Sequence, residues 1–553
     1  MTQSLLHPTF PSGPKISWAR STTSSGRRLA TILVTSAMVA GAAFPASAVD
    51  VGLSPRFLFA EDPAAARLTP DPAVDGPNAA ARGYAGRSAL ATEAADPGVG
   101  TGGTGVGTTG NVDQRRRDWD VEMAARKSYW IPALDIIGFQ VLLNRFDRYR
   151  EGSGDYDVTA ASIRRNLRHS WVVDSDPFSV NQFLHPYAGS MYYGFARSAG
   201  LDFWQSFGYT FAGSAVWEVF GENTFPSRND QIATGIGGTF LGEALFRMSS
   251  LVLERQDHWP TWLHEMGAAA ISPSTGFNRL AFGDRFKPIF PSHDADYYSR
   301  LQFGFTGTTQ NDPGNSQRVR RNEAVVDFSL DYGLPGKPDY AYRRPFDYFT
   351  LQMTGASGNG LESIMTKGLL LGRDYKVGDK YRGIWGLYGS YDYLAPQIFR
   401  LSSTALSLGT TGQYWLTDTI AVQGTGMLGA GYAAVGTLHG TDERDYHYGV
   451  APQALLALRL IFGEKYSLDV TGREYFVSRV GSTDANNHDN IARLETALTW
   501  RISGPHAVAL KYVLSRRDPS YAALGNSAQT RGTIGVFYTL LGHDRFGAAE
   551  WRK

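Results

Sequence analysis

The stretch Arg493-Leu-Glu-Thr-Ala-Leu-Thr-Trp-Arg-Ile502, followed by Val508-Ala-Leu-Lys-Tyr-Val-Leu514, decides the fold. Leu494, Leu498, Trp500 and Ile502 fall on one side of an extended chain, with Arg493, Glu495 and Arg501 on the other. Val508, Leu510, Tyr512 and Leu514 oppose Lys511 in the same way. A period of two marks a strand with two unlike faces. Full charges on the second face are costly in a dry sandwich core. A membrane barrel instead turns its apolar face to lipid and its charged face to a wet lumen. Leu301, Phe303 and Phe305 repeat the pattern, as do Val326, Phe328, Leu330 and Tyr332, then Phe349, Leu351 and Met353. Leu456 to Phe462 and Ile534 to Leu540 continue it, while Lys367, Asp392, Asp469 and Arg473 add to the charged face. Turn-rich breaks such as Asp374–Asp379, Gly440–Arg444 and Gly481–Asn487 separate the runs. The runs are longer than the usual soluble strand of about 5–6 residues. The pattern predicts an antiparallel outer-membrane β-barrel of about twelve strands over residues 290–545.

Upstream, Arg27 and Arg28 precede an uncharged run from Leu29 to Phe44, then Ala46-Ser47-Ala48. This is the layout of an export signal, residues 1–48, cleaved before Val49. Residues 49–117 form an Ala/Gly/Pro-rich linker containing PGVGTGGTGVGTTG at 97–110, too poor in apolar area to offset its ordering entropy. Its two GxGxxG matches, at Gly98 and Gly105, and a third at Gly424, lie in no strand–turn–helix context and predict no dinucleotide site. With 53 Lys+Arg against 52 Asp+Glu, no global field recruits nucleic acid. The absence of Cys removes disulfides, Cys-ligated metals and thiol nucleophiles from consideration.

Between 118 and 285 the apolar period is helical, so the fold class is α+β multidomain, a helical block followed by the barrel. A first helix is predicted over 128–146, a second from His185-Pro186 and a third from Leu201 to Glu222. The third carries Trp204, Phe207, Phe211, Ser214 and Glu218 on one face and reads as buried. Ser227-x-x-Asp230 is a capping box for a fourth, to Leu253, in which Gly235, Gly238 and Gly242 allow a second backbone to approach. A fifth lies at 259–271, and Ser272–Arg279 reads as a loop to the barrel.

The informative residues are charges on these apolar helices: His185, Arg197, Glu218, Glu222, Asp230, Glu243 and Arg247, with Asn181 beside them. Buried carboxylates are costly unless paired or hydrogen-bonded. The favoured expectation is structural: Glu243 with Arg247, Arg197 with Glu218 or Glu222, and Asp230 as a cap. A metal site lacks the Glu-x-x-His or His-Glu-x-x-His spacing, so no cofactor or metal is expected. A hydrolytic or lipid-handling site with His185 as base is the third possibility, although no G-x-S-x-G elbow occurs in the chain.

The string DPFSVNQFLHPYAGSMYYGFARSAGLDFWQSFGYTFAGSAVWEVFGE through PSRNDQIATGIGGTFLGEALFR, with GFNRLAFGDRF at 276–286, resembles a bacterial family known as domain of unknown function 3943. The resemblance covers Asp176 to Arg247 and implies a Gram-negative envelope protein whose helical block precedes a barrel. It carries over no catalytic residue. The expected location is the outer membrane, with the helices in the periplasm or plugging the barrel, because a long apolar helix facing lipid would be arrested at the inner membrane. The expected role is transport-like or envelope-structural. An enzyme acting on envelope lipid is the alternative, and a scaffold or adhesin comes last. Expected partners are outer-membrane lipid, the barrel-assembly machinery during biogenesis, and a small solute or lipid.

Overall fold

The computed structural model describes residues 109–551, apart from 152–153, 175, 256–258, 313–318, 438–445, 479–486 and 521–527. The predicted signal, and the linker as far as residue 108, lie outside the described residues. Residues 109–117, predicted as linker, are helical in the structure. Among the described residues eight α-helices precede twelve strands. The helices are α1 (Thr109–Arg126), α2 (Trp130–Glu151), α3 (Ala160–Asn166), α4 (His185–Ser198) and α5 (Phe203–Phe220), then the 26-residue α6 (Arg228–Leu253), α7 (Thr261–Ile271) and α8 (Pro273–Ala281). The segment predicted as a loop at Ser272–Arg279 is thus largely α8. Pro273 opens that helix, where its missing N–H costs nothing, and Asn278 ties it to the Phe195 carbonyl at 3.0 Å.

The strands are β1 (Tyr297–Asp312), β2 (Asn322–Tyr332), β3 (Phe349–Ala356), β4 (Gly360–Val377), β5 (Tyr381–Leu394) and β6 (Phe399–Trp415). They continue as β7 (Ile420–Thr437), β8 (Tyr446–Phe462), β9 (Tyr466–Ser478), β10 (His488–Ser503), β11 (His506–Ser520) and β12 (Gln529–Leu541). Each pairs antiparallel with its sequence neighbours, and β1 with β12 closes the barrel. The predicted barrel and its strand number hold. The turns β4–β5, β6–β7, β8–β9 and β10–β11 are short and lie at the end where the chain enters β1 and leaves β12.

Cross-barrel ion pairs fix which face points inward. Arg300 on β1 meets Asp469 on β9 at 3.1 Å, Arg459 on β8 meets Asp331 on β2 at 3.0 Å, and Lys511 on β11 meets Asp327 on β2 at 3.2 Å. These strands are not neighbours, so the pairs span the lumen. The opposite parity, including Leu498 and Leu510, is outward and about half exposed. Outward Trp385, Tyr414, Phe462, Tyr466, Trp500 and Tyr538 ring the short-turn end, where a membrane barrel carries an aromatic girdle. Leu498→Arg is expected to cost about 2–4 kcal/mol, the value for a lipid-facing charge near mid-bilayer. Because the chain has no Cys, a membrane-confined maleimide should label Cys introduced at 498 or 510 and miss Cys at 501 or 511. The reverse labelling would invert the assigned faces.

The lumen is filled by the barrel's own residues. The ten residues after β12 fold back into its short-turn end, where Gln413 on β6 exchanges two hydrogen bonds with Ala549 at 2.8 and 2.9 Å and Gln423 on β7 donates to the Gly547 carbonyl. Phe546 is fully buried there with Tyr298, Trp415 and Ile461. At the other end Leu394, Ile398, Phe399 and Leu401 pack with Val477 and Ile491. The C-terminal tail, which trails past the last strand without a terminal aromatic, is therefore a stopper.

The helical block does not enter the lumen, contrary to the plug expectation. It packs on the outward face of the barrel. Phe240, Leu241, Leu245 and Met248 of α6 share one core with outward Leu301, Phe328, Leu330, Leu351, Tyr391 and Tyr393. A Cβ on outward Gly389 would lie 2.4 Å from the Phe240 ring, so this glycine is the notch that seats α6. Gly238 meets the backbone of Gly189 on α4, as the sequence predicts, whereas Gly235 and Gly242 face the rings of Phe211 and Tyr193. Helix α5, read as buried, is instead two-faced with its polar side inward. Ser206, Thr210, Ser214 and Glu218 are buried, while Trp204, Phe211 and Phe220 are exposed. Helix α2 repeats this, burying Gln140 against the Gly213 carbonyl and exposing Trp130, Leu134 and Leu142.

Candidate functional site

The predicted polar residues separate into two clusters at opposite ends of α6. The first is near the short-turn end. Glu243, fully buried, accepts from Arg247 at 2.7 Å, Arg197 at 3.0 Å and the Tyr193 hydroxyl at 2.8 Å. Arg247 reaches on to Asp347 in the β2–β3 connection at 3.1 Å, and Asp347 also meets Arg116 of α1 at 3.3 Å. The predicted Glu243–Arg247 pair is present. The predicted partnership of Arg197 with Glu218 or Glu222 is not, because Arg197 leans toward α6 and is held there by Glu243. Two carboxylates and three guanidiniums, each hydrogen-bonded, make a clamp between block and barrel.

The second cluster lies at the far end and lacks such compensation. Glu218 on α5 accepts the Ser227 backbone N–H at 2.8 Å. Glu222, in the turn after α5, accepts the Trp217 indole N–H at 2.6 Å and the Thr224 hydroxyl at 2.9 Å. Asp230, in the first turn of α6, accepts from Asn229 at 3.0 Å. The capping box is half formed. Ser227 Oγ accepts the Asp230 N–H at 3.2 Å, but Glu218 takes the Ser227 N–H that Asp230 would have taken. Asp230 therefore faces inward, and the three carboxylates are close enough to repel one another.

Around them stand residues the sequence reading left out. Asp174 accepts from Asn181 at 2.9 Å, and Asn181 also donates to the Tyr446 hydroxyl. Tyr448 accepts from Asn229 and Gln182, both at 2.8 Å. Tyr446 and Tyr448 are spaced by two at the start of β8 and face outward, the one sequence sign that this strand end touches something other than lipid. His185 meets Thr234 at 3.1 Å, with no carboxylate in hydrogen-bond contact among the described residues. Two π-helical turns, Val180–Leu184 and Ala233–Gly237, flank the cluster. Such turns cost regular hydrogen bonding and concentrate at functional sites.

Burial pushes the Glu222 carboxyl up from its ordinary 4.5 to about 7; Asp230 adds to the rise and His185 opposes it. The folded state thus binds this proton more tightly than the unfolded state. The Glu222 contribution to stability is full below about pH 4.5 and is lost as pH rises toward 7. Thermal unfolding in detergent should show the helical block more stable at pH 5 than at pH 7.5, the difference shrinking in Glu222→Gln while burial of Glu218 and Asp230, which raises both carboxyls as well, sustains the remainder. A steady gain in stability across that range that is unchanged in Glu222→Gln would contradict it. Among the described residues no group of three or more His, Asp or Glu is arranged to hold a metal ion.

A family profile described as Domain of unknown function (DUF3943) matches residues 170–274, the span from Ser170 through α6 and α7 into α8 that carries Glu218, Glu222, Asp230, Glu243 and Arg247. No curated protein matches the chain. Among solved structures, the outer membrane channel DcaP of Acinetobacter baumannii is similar over 44% of this chain and 96% of its own, at 8% identity and a TM-score of 0.23. The TodX monoaromatic hydrocarbon channel is similar over 50% and 94%, at 11% identity and a TM-score of 0.21. Wzi, a carbohydrate-binding barrel involved in Group 1 capsule assembly in Escherichia coli, is similar over 55% and 92%, at 8% identity and a TM-score of 0.16.

Proposed function

We propose that the protein is an outer-membrane barrel that serves as a closed wall, and that its helical block performs acid–base chemistry on an envelope lipid. The observation that carries this is the far-end cluster: buried Glu218 and Asp230 and half-buried Glu222 stand together with no ion pair to any cation among the described residues. Uncompensated carboxylates are retained where they work, and a carboxyl titrating near neutrality suits a general acid or base. The chemistry these residues supply is hydrolysis: one carboxylate takes a proton from a water that bonds to an ester or glycosidic carbon of the lipid, and a carboxylic acid protonates the departing oxygen as that C–O bond breaks. The outward apolar faces of α2 and α5 support a lipid setting, as does the exposed apolar belt of β6–β12. Helix α6 is long and apolar enough to cross a membrane. Its Asp230, Glu243 and Arg247 make it a poor stop-transfer segment during export. A solute path through the lumen finds no support in an interior crossed by ion pairs and stoppered by the tail. The barrel-assembly machinery remains the partner expected during biogenesis.

The test is a comparison of extracted envelope lipids by mass spectrometry from cells making the wild-type protein, Glu222→Gln or Asp230→Asn. A lipid mass shift present with the wild type and absent with either variant, all assembled equally, supports the reading. Identical lipids in all strains would overturn it, as would stable ion conductance of the wild-type protein in planar bilayers.

A further inference from the structure

At mid-barrel the lumen widens into a cavity of about 150 Å³. Its cations are mostly matched. Arg300 has Asp469, Arg459 has Asp331 and Lys511 has Glu495 at 2.6 Å. Two are not. Lys367 on β4 and Arg473 on β9 both line the cavity, and neither forms an ion pair or hydrogen bond with a described residue. They come from different sides of the barrel yet are near enough for their charges to interact. Asp392, the carboxylate facing both, is engaged by the Tyr475 hydroxyl at 2.9 Å and lies beyond ion-pair distance of either cation.

Of the charged side chains lining the cavity five are cationic and four anionic. An unmatched charge enclosed by protein is expensive unless something compensates it. Asp327 behind Lys511 evens the overall tally, but Lys367 and Arg473 face the single carboxylate of Asp392, and water alone leaves that local imbalance. A chamber of this size has room for several waters, each occupying about 30 Å³ in the liquid, or for one small anion with a partial shell. We propose that the cavity holds a single small inorganic anion, a halide or a tetrahedral oxyanion, between the Lys367 ammonium and the Arg473 guanidinium. The ammonium supplies a point charge and the guanidinium a planar fork of donors, a combination that suits an anion without demanding one shape. Closure of both lumen ends makes the ion a structural constituent that enters as the barrel forms or breathes.

Two measurements on the full-length protein test this. Crystals of the wild type grown with sodium bromide in place of chloride should give an anomalous peak between Lys367 and Arg473. In parallel, the heat-modifiable gel transition is followed in bromide, in sulfate and in gluconate, which is too large to enter, at equal ionic strength. The transition should rise in bromide or sulfate relative to gluconate, the stronger response identifying halide or oxyanion. That rise should be lost in Lys367→Gln and in Arg473→Gln, and kept in Arg516→Gln on the barrel exterior. No anomalous peak in the cavity would overturn the proposal, and so would an anion response unchanged in both lumen variants. The bromide crystal decides the matter even where a variant fails to assemble.

Discussion

Replacing Arg247 by Met is expected to cost about 1.5–3 kcal/mol, the usual worth of a buried hydrogen bond to a charged group. Arg247 is fully buried and bridges Glu243 on its own helix to Asp347 on the β2–β3 connection. Without it Asp347 keeps Arg116 and two backbone N–H donors, from Arg343 and Arg344. Glu243 keeps Arg197 and Tyr193. The carboxylates therefore keep partners, and the junction between block and barrel falls back on the Arg116–Asp347 pair and the apolar face of α6. Limited proteolysis should cut the helical block faster than in the wild type, the barrel staying heat-modifiable. An Arg247→Met protein as protease-resistant as the wild type would show that the clamp is dispensable.

Glu222→Gln is expected to lower the rate of lipid modification by about 10²–10⁴-fold, the usual contribution of a positioned general acid or base. The same change should leave stability at neutral pH equal or higher, because Gln resembles the protonated acid that burial favours. A structural role predicts the opposite combination, an unstable protein with no chemical phenotype. The wild-type rate should also change through about pH 7, where this carboxyl titrates. A rate that is flat from pH 5 to 8.5 would remove Glu222 from the chemistry.

The barrel was legible in the sequence because its two faces obey different solvents at every second residue. Arg493 and Glu495 against Leu494 and Leu498 leave only one way to orient β10. The i,i+4 pair Glu243–Arg247 was legible for the same reason, since helical spacing alone brings the two together. The position of the block was not. Its helices read as buried all round, because lipid and a protein core select the same apolar residues. The difference lies in which face carries Ser206, Thr210 and Ser214, and that emerges only when α5 has neighbours. The role of the tail was not legible, because Gln413 and Gln423, distant in sequence, hold it only once both stand in one lumen. The second cluster was half legible. Glu218, Glu222 and Asp230 stood out as charges on apolar helices, but Asp174, Tyr446 and Tyr448 reach them from loops and a strand end, which no periodicity connects.

An engineered disulfide decides whether the helical block rides on the outer wall of the barrel. A Cβ on Gly237 of α6 would lie 3.0 Å from Oγ1 of Thr404, an outward residue of β6. That is within reach of the Cβ separation of about 3.5–4.5 Å that a disulfide needs. The chain contains no other Cys, so any bond formed is the designed one. Gly237→Cys with Thr404→Cys should cross-link under mild oxidation in intact envelopes, giving a reductant-sensitive change in gel mobility. Gly237→Cys with the adjacent, inward-facing Ala405→Cys should not. Cross-linking at 405 and none at 404 would place the helices inside the lumen and contradict the account.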